Sequence, residues 1–416
     1  MTRSAFAIAA VLAACGTPST DPDHDVVDPA TDLQEVASEN AALAVKLYRQ
    51  ASSEPGNLFM SPHSISMGLG MTYAGANGTT ATQIADAMGF TLPDDRLHTT
   101  LHALDLALRE RTVPRHDDAP IQFRLQSANA MWGQHDYPFL TSFREIVEAS
   151  YGGGIYATDF KTDPNAVRAV INGWVADRTE GRITELLGPD AVDMRTALVL
   201  TNAVRFSAAW NQPFEAERTT VRPFHTATGS VSVLMMTSPD YHADYATGDG
   251  WAAVDLPYEG HQLSMMIIVP TGDLTAFEAT LSAQLLDAIT SELAPYALDL
   301  TVPRFAFDAE LPVRRVLEGL GIRDAFIPGV ADFSGIDGTT LLYINCATHK
   351  AFVGVDELGT DAAAATAFGF VPVSLPPSAT VVADRPFLFF IRDRPTGAIL
   401  FMGRVVDPSS TSTAEN

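Results

Sequence analysis

Residues 359–384 read GTDAAAATAFGFVPVSLPPSATVVAD, and the interpretation of the whole chain starts from this stretch. It lies between two strand-like segments and spans about 25 residues, whereas most connections in compact domains have about 4 to 6. Pro372, Pro376 and Pro377 exclude a helix interior and a central strand from its second half. That half is therefore predicted to be an exposed, extended loop, the kind of segment that proteases cut.

The first half of the stretch alternates as a strand does. One side carries uncharged residues that change from small to large, namely Thr360, Ala362, Ala364, Thr366, Phe368 and Phe370. No residue from Ala362 to Leu375 is charged, so moving this segment into a sheet would bury no unpaired ion. The pattern predicts a loop that can become a strand. Taken alone, it also fits an Ala-rich helix of one or two turns, or a plain linker.

Helix and strand signals surround this loop. A first helix is predicted around residues 33–47, where the apolar residues share one face. A second begins with Ser61 as its cap and Pro62 at its first position, and a third runs from about Thr80 to a stop at Gly89. Strands are predicted at Ile121–Leu125, Ala197–Phe206, Gln262–Val269, Leu298–Phe307, Phe387–Ile391 and Ala398–Val406. Because helices and strands neither alternate strictly nor separate into blocks, we expect one α+β domain with more than one sheet.

The composition excludes several classes of protein. The 416 residues are 46% hydrophobic and 18% charged, which is typical of a globular protein and not of a disordered or fibrous one. Lys and Arg number 26 against 50 Asp and Glu, a net charge of −24, so phosphate backbones repel the chain and no nucleic-acid partner is expected. With two cysteines, neither a disulfide scaffold nor a thiolate metal cluster is expected.

The sequence also lacks the usual enzyme signatures. It has no pair of histidines at helical spacing, no Gly-rich phosphate loop after a strand and no G-x-S-x-G elbow, so no metal, cofactor or catalytic residue is predicted. Gly68, Gly70 and Gly75 fall in a helical pattern, which favours close helix packing over a dinucleotide site. Four scattered tryptophans are expected in the core: Trp132, Trp174, Trp210 and Trp251.

The N-terminus has the features of an export signal. Arg3 precedes an apolar run, residues 5–14, that is too short to span a bilayer. The run ends in LAACG at residues 12–16, which resembles a bacterial lipoprotein cleavage box with Cys15 as the lipidated residue. We predict a signal peptide at 1–14, a lipid-anchored flexible linker at 15–33, the folded domain at 34–408 and a polar tail at 409–416. The chain would then be exported and anchored to a bacterial membrane, periplasmic or at the cell surface; an ordinary secretory peptide is the alternative.

The stretch Asp356–Thr366 (DELGTDAAAAT) resembles the hinge of the inhibitory serpins, a large family of serine protease inhibitors. Further serpin-like motifs follow in the family's order over about residues 34–408: Asn57–Ser64 (NLFMSPHS), Thr201–Phe214 (TNAVRFSAAWNQPF), Asp255–Tyr258 (DLPY), His349–Phe352 (HKAF), Arg385–Phe387 (RPF) and Leu400–Pro408 (LFMGRVVDP). The resemblance implies the α+β serpin fold: three β-sheets, about nine helices and an exposed reactive loop in a single large domain.

The resemblance also implies a mechanism. In that family a protease cuts the exposed loop, forms its acyl-enzyme and is carried across the molecule while the hinge side of the loop inserts into the central sheet. The family's loop length, counted from Gly359, places the cut bond at Val373–Ser374, with a cut after Phe370 as the alternative. Residues 360–373 would extend about 46 Å as a strand, at about 3.3 Å per residue. The implied hinge comprises Glu357, Gly359, Thr360, Asp361, Ala362, Ala363, Ala364, Ala365 and Thr366.

The residue before the cut bond indicates the class of target. Val373 is small and β-branched, which suits a shallow apolar pocket of the elastase type. No Lys or Arg occurs between Leu358 and Asp384, so trypsin-like targets are disfavoured. A cut at Phe370 would indicate a chymotrypsin-like or subtilisin-like enzyme. The expected partners are therefore serine proteases, with the membrane contacted only through the lipid and the protein itself a monomer.

Other positions are assigned by their place in the serpin motifs. Ser61, Ser64, Asn202 and His349 match a polar cluster beneath the central sheet, and for His349 a hydrogen-bonded core histidine is compatible with that role. Trp210, Glu357 and Arg304 match the point where insertion begins, and a Glu357–Arg304 ion pair is expected there, either as part of the hinge or as a simple surface pair.

Two other function classes stay open. One is a non-inhibitory surface lipoprotein of the same fold, acting as a binding or structural protein. The other is a hydrolytic enzyme, which lacks any recognisable nucleophile and base in this sequence.

Overall fold

The computed structural model describes residues 29–111, 123–152, 154–361 and 376–410. Ten α-helices lie in these ranges: α1 Pro29–Ala51, α2 Pro62–Tyr73, α3 Gly78–Met88, α4 Asp94–Arg109, α5 Thr141–Ser150, α6 Pro164–Arg178, α7 Leu274–Thr280, α8 Ala283–Glu292, α9 Val313–Gly319 and α10 Ser334–Asp337. Short 3₁₀ helices occur at Ala216–Arg218 and Asp324–Phe326. No helix of this part of the chain is both long and apolar enough to cross a bilayer.

The strands of the described residues are β1 Leu58–Met60, β2 Phe123–Ser127, β3 Ala130–Gln134, β4 Ile155–Thr158, β5 Leu198–Ala209, β6 Thr220–Thr226, β7 Gly229–Gly248, β8 Trp251–Pro257, β9 Leu263–Pro270, β10 Ala294–Pro303, β11 Phe305–Leu311, β12 His349–Val355, β13 Gly359–Thr360, β14 Ser378–Val382, β15 Phe387–Asp393 and β16 Ile399–Val405. They form a nine-stranded sheet in the order β1-β16-β15-β9-β8-β7-β10-β14, with β6 paired to β7. They also form a seven-stranded sheet in the order β11-β12-β13-β5-β3-β4, with β2 paired to β5.

The number of sheets differs from the three that were expected. Strand β7 is 20 residues long and pairs with β6 near its start and with β8 near its end. Because β7 is continuous, the strands that pair with its start and with its end belong to one sheet and not to two. An α+β architecture with more than one sheet is as predicted.

Local signals in the sequence locate two early helices well. Helix α2 begins after Ser61, whose hydroxyl accepts a hydrogen bond from the Ser64 backbone N–H, with Pro62 at its first position. Helix α3 ends at Gly89, whose φ of +77° is left-handed and suits glycine. The first helix, however, begins at Pro29 and so includes residues 29–33, which were assigned to the linker. Those residues fold because Asp32, in the first turn, is buried and pairs with Arg96 of α4.

The strand expected at 298–307 is in fact two strands in two different sheets. β10 ends at Pro303, which has no N–H for a ladder, and β11 begins at Phe305 and pairs with β12. Between them, the Arg304 N–H donates to Leu234 O at 2.8 Å. The apolar pattern runs through this point without interruption, so it could not reveal the change of sheet.

Aromatic rings join the two sheets in the core. Phe59 of β1 stacks on Phe389 and Phe401 of the nine-stranded sheet, with centroids 5.6 and 5.0 Å apart. Phe206 of β5 in the seven-stranded sheet meets Phe401 edge-on at 5.7 Å. Trp132, Trp210 and Trp251 are buried and Trp174 is half-buried, which is close to the expected core placement.

The glycines of α2 allow close packing, as predicted. A Cβ on Gly70 would lie 2.7 Å from the Tyr151 hydroxyl, and a Cβ on Gly75 just after the helix would lie 2.2 Å from Ile336 Cγ1. Neither position could carry a larger residue without movement of its neighbour.

Candidate functional site

Strands β5 and β12 lie next to each other in the seven-stranded sheet, and we call the boundary between them the seam. In its middle they pair directly and in parallel, from Asn202 opposite His349 to Arg205 opposite Phe352. Near its top, the chain leaves β12 at Val355, turns, and comes back down as β13. The seam is therefore closed in the middle and held apart at its upper end.

Strand β13 holds the two strands apart at the upper end, and we call it the wedge. It is the start of the predicted hinge. In β13, Thr360 lies opposite Ala208 of β5 on one side and Val355 of β12 on the other, antiparallel to both. Thr360 is only 1% exposed, and its hydroxyl lies 2.7 Å from that of Tyr258. Burial raises the pKa of Tyr258 well above its ordinary value, so this phenol stays neutral. Gly359 of the predicted hinge and Thr360, the first residue of the strand expected to insert, already occupy a place in the sheet.

Gly359 is required by a close approach of two backbones. A Cβ at this position would lie 2.1 Å from the carbonyl oxygen of Ala208 and 2.8 Å from Ala209 Cα. Both contacts are to backbone, which cannot rotate away. Only glycine therefore allows β13 to lie this close to β5.

The turn between β12 and β13 is a local hydrogen-bonded unit. The Asp356 carboxylate accepts from the N–H groups of Leu358 and Gly359, at 2.9 and 3.2 Å. Burial raises the pKa of Asp356 above its ordinary value. The Trp210 backbone N–H donates to Leu358 O at 2.9 Å, and its ring N–H donates to Asp356 O at 3.0 Å. Trp210 thus lies where the sequence placed it, at the point where insertion would begin.

Glu357, in the same turn, has two partners. The expected ion pair is present, with Arg304 Nε 3.7 Å from Glu357 Oε2. The Thr219 hydroxyl donates to the other carboxylate oxygen at 2.7 Å. Because Arg304 is 44% exposed, the ion pair is worth little, typically below about 1 kcal/mol.

Asp361 is held by a charge cluster that the sequence did not reveal. Its φ is +46°, outside the extended region that a strand needs. Its carboxylate accepts from Arg205 Nε at 2.5 Å and from Arg182 Nη2 at 2.6 Å, and Arg205 also pairs with Glu180. The Ser207 hydroxyl donates to its carbonyl at 2.7 Å. The left-handed backbone of Asp361 therefore lies directly after the end of β13 at Thr360.

Below the wedge, a polar cluster fastens the closed middle of the seam. His349 is fully buried, and its Nε2 accepts from the Ser61 backbone N–H at 3.0 Å, so its proton is on Nδ1. Nδ1 donates to Asn202 Oδ1 at 2.5 Å. Ser64 donates to the same oxygen at 3.1 Å, and Asn202 Nδ2 donates to Ser64 O at 2.5 Å. All four residues that the motifs assigned to this cluster are brought together here.

Burial lowers the pKa of His349 from 6.5 to about 3. The imidazole is therefore neutral at physiological pH, and its hydrogen bonds link α2 to both strands of the seam. These bonds cross the closed middle of the seam.

Part of the predicted site lies outside the described residues. This applies to the proposed cut bond Val373–Ser374, to Phe370, to Cys15, and to the hinge residues Ala362, Ala363, Ala364, Ala365 and Thr366. On the other side of these residues, β14 pairs in parallel with β10. The two ends of the segment thus lie in different sheets. Among the described residues, no group of three or more His, Cys, Asp or Glu could hold a metal ion.

Comparison with known proteins shows which family has this architecture. The family model described as Serpin (serine protease inhibitor) matches residues 38–408. An uncharacterized serpin-like protein of Thermococcus kodakarensis is 37% identical over 87% of this chain and 83% of its own length. The leukocyte elastase inhibitor of Equus caballus is 34% identical over 90% of this chain and 100% of its own.

A solved structure agrees with the sequence relatives. The thermophilic serpin tengpin in its native state superposes with a TM-score of 0.77 and 26% identity, over 93% of this chain and 96% of its own. The fold, a single α+β domain, is confirmed, and membership of a family of protease inhibitors agrees with the expectation that the chain is not an enzyme. With its hinge wedged into the seam above a buried Ser-Asn-His cluster, and with this match over nearly the whole domain, the chain belongs to the serpin family.

Proposed function

We propose that this chain inhibits serine proteases as a suicide substrate, trapping the acyl-enzyme by inserting its cut loop into the seam. The observation that carries the proposal is the position of β13, which lies between β5 and β12 and is antiparallel to both. It has the orientation and the neighbours that a longer inserted strand would need. Insertion would continue a pairing that has already begun.

The register supports continuation without a break. The row that holds Ala208, Thr360 and Val355 has the same offset between β5 and β12 as the row that holds Asn202 and His349. A strand growing downward from Thr360 would therefore place Thr366 between Asn202 and His349. Insertion would break their mutual hydrogen bond, and the Thr366 hydroxyl, which both donates and accepts, could replace it.

The energy balance favours insertion once the loop is cut. Each new ladder hydrogen bond contributes about 0.5 to 1.5 kcal/mol, so a strand of this length gains on the order of 10 kcal/mol before ordering costs. Residues 362–365 are all alanine, so they offer little steric resistance between the parting strands. Insertion must also outpace hydrolysis of the acyl-enzyme, since ordinary enzymes turn over at about 10 per second.

The proposed target is an elastase-like protease that cuts after Val373. The small β-branched side chain supports this, as does the similarity to a protein named leukocyte elastase inhibitor. A cut after Phe370 by a chymotrypsin-like or subtilisin-like protease is the second possibility for the site of attack.

We further propose that the chain is exported and anchored through a lipid on Cys15. The support is the sequence at residues 3–16 alone. Mass spectrometry of the mature N-terminus from bacteria that export the protein would show a lipidated cysteine; an unmodified N-terminus beyond residue 15 would contradict the anchor.

The inhibitory function is tested by mixing the purified protein with pancreatic elastase and boiling it in detergent. We expect a covalent band at the summed mass. Ala364→Arg should abolish the band while leaving cleavage intact, because insertion would bury its charge between β5 and β12, beside the buried Val204 and Ala351. Ser378→Arg, at an exposed residue beyond the other end of the loop, is the matched control and should keep the band. Cleavage of the native chain without any covalent band would contradict inhibition.

A further inference from the structure

The lower end of the seam is hollow. Below His349, residues 341–348 carry no strand pairing to β5, and a cavity of about 310 Å³ lies between the two segments. Its side walls include Leu198 and Leu200 on β5 and Asn345 and Ala347 opposite them. Apolar residues of α2, α9 and α10 complete the lining, among them Ile65, Leu69, Leu317 and Ile336. The cavity has the size of a small ligand site and is apolar toward the core.

The side of the sheet on which this cavity lies follows from β5. A Cβ on Gly68 of α2 would lie 3.5 Å from Leu200 Cδ2, and Asn202 bonds to Ser64 of the same helix. The even-numbered residues of β5 near this end therefore point toward α2. Residues directly opposite each other in an antiparallel pair share a face, and Thr360 is opposite the even-numbered Ala208. Every second residue of an inserted strand, counted from Thr360, would thus also face α2.

The register identifies which residues would reach the cavity. Continued from Thr360, it places Phe368 between Leu200 and Ala347, and Phe370 between Leu198 and Asn345. Both phenylalanines are even-numbered, like Thr360, so on the inserted strand both would face α2. Phe368 and Phe370 are the only aromatic residues of the segment 362–375, and they coincide with the two rows whose side walls border the hollow.

The opposite face of the sheet at the same rows is more crowded. Trp132 Nε1 donates to the Thr201 hydroxyl at 3.2 Å, and Val199, which also borders the cavity, packs in the same small cluster as Trp132. The inserted residues that would face this crowded side are Ala367 and Gly369, the smallest available. Large side chains thus meet the hollow face and small ones meet the crowded face, which is the match expected for a segment that fits here in one register.

We infer that this cavity is the receptor for the side chains of Phe368 and Phe370. The inference rests on the proposed insertion and deepens it. The two phenylalanines are positioning residues: by filling the hollow they complete insertion and fix its register, and Phe370 serves this purpose in place of marking a second cleavage point. The occupant is this chain's own segment 362–375, whose length and point of departure after Asp361 allow it to reach the cavity.

Cys346 supplies a reporter for the test, since it lines the cavity, is half-buried and carries a free thiol. In full-length Cys15→Ser protein it is the sole cysteine. We expect its reaction with a thiol reagent such as dithionitrobenzoate to slow at least about tenfold after elastase cuts the loop. In Phe368→Ala/Phe370→Ala protein cleaved in the same way, we expect it to stay within about threefold of the uncut rate.

A matched variant separates cavity filling from general loss of side-chain volume. Val371→Ala removes apolar volume from the same segment, at a position of opposite parity that faces away from the cavity. It should protect Cys346 after cleavage as the native sequence does. The phenylalanine variants should also divert more of the inhibitor into cleaved product, seen as a higher molar ratio of inhibitor to protease needed for full inhibition. Equal loss of protection in Val371→Ala would overturn the inference.

The outcomes also distinguish this inference from the proposed function. If cleavage raises the melting temperature but leaves Cys346 as reactive as before, insertion occurs and the cavity inference is wrong. If cleavage neither raises the melting temperature nor yields a covalent complex, the proposed function fails first.

Discussion

The two ends of the seam differ in the side chains that line them. At the top, β13 keeps β5 and β12 apart, and Asp361 is fixed there by Arg205 and Arg182. At the bottom, the strands separate around a mainly apolar cavity, whose lining also includes the Asp193–Arg195 ion pair. Only four rows in the middle pair directly. A sheet that is already open at both ends needs to break little more than this middle to accept a strand.

The contrast assigns different tasks to the two ends. Charges at the top are directional and hold one arrangement, so they fix Asp361 at the end of β13. The lining of the cavity at the bottom is mostly apolar, so burying an apolar side chain there is favourable without a directional contact. In the proposed mechanism, the upper end fixes the uncut state and the lower end stabilises the inserted state.

The largest expected effect comes from breaking the charge cluster at the top. Arg205→Ala leaves the 5%-exposed carboxylate of Asp361 with only Arg182, so we expect a loss of about 3 kcal/mol in the free energy of unfolding of the uncut protein. Urea unfolding at pH 7 measures this. Arg182→Ala, at a side chain that is 47% exposed, should cost less than about 1 kcal/mol. Equal effects of the two changes would show that the cluster acts as an ordinary surface network.

The next effect tests how closely the wedge fits. In Gly359→Ala the new methyl group would meet Ala208 O, so β13 must shift, and we expect a loss of about 1 to 3 kcal/mol. The shifted hinge should also be cut faster by a non-specific protease under native conditions. Gly272→Ala is the control, because nothing lies within 4 Å of its Cβ position and its φ is not left-handed. If Gly359→Ala matched this control in stability, the upper end would be loosely packed.

A third effect concerns the closed middle and depends on pH. His349 has a pKa of about 3 when folded and 6.5 as its ordinary value, so below pH 6.5 the unfolded chain binds a proton that the folded chain does not. Its contribution to stability is complete above about pH 6.5 and falls as the pH drops, by about 2 kcal/mol at pH 5. Urea unfolding at pH 8 and pH 5 should show that His349→Gln lacks this part of the pH dependence.

The control for this comparison is His242→Gln, at an exposed position. It should keep the pH dependence of the native sequence. If His349→Gln kept it too, the buried histidine would not be neutral in the folded state, and the polar cluster would need another explanation.

The smallest expected effect is at Glu357. Arg304→Ala removes a 3.7 Å ion pair at a half-exposed site, while Thr219 still donates to the carboxylate. We expect a change below about 1 kcal/mol in the free energy of unfolding. A loss of 3 kcal/mol would place this pair among the main restraints on the hinge, alongside Arg205.

Local chemistry in the sequence predicted much of this site. Ser61, Pro62 and Gly89 marked helix ends by caps and backbone geometry. The insertable strand indicated by the parity of residues 360–370 stays a prediction. The polar cluster at Asn202 and His349 came from the serpin motifs, because its members are far apart in the chain and join only through the fold.

Three features of the site could not be predicted from the sequence, because each depends on contacts between distant segments. Nothing near Asp361 indicates that Arg205 and Arg182 meet it, and an uninterrupted apolar pattern conceals the change of sheet at Arg304. The cavity exists because pairing to β5 stops at His349, and no local pattern marks that end. The two phenylalanines can be read from the sequence, whereas the cavity proposed to receive them is visible only in the structure.

The most direct test of a seam prepared for insertion is the melting temperature before and after the loop is cut near Val373. An insertion worth on the order of 10 kcal/mol should raise the melting temperature by more than about 10 °C. An unchanged or lower melting temperature in the cut protein would mean that no strand enters between β5 and β12, and would contradict the account.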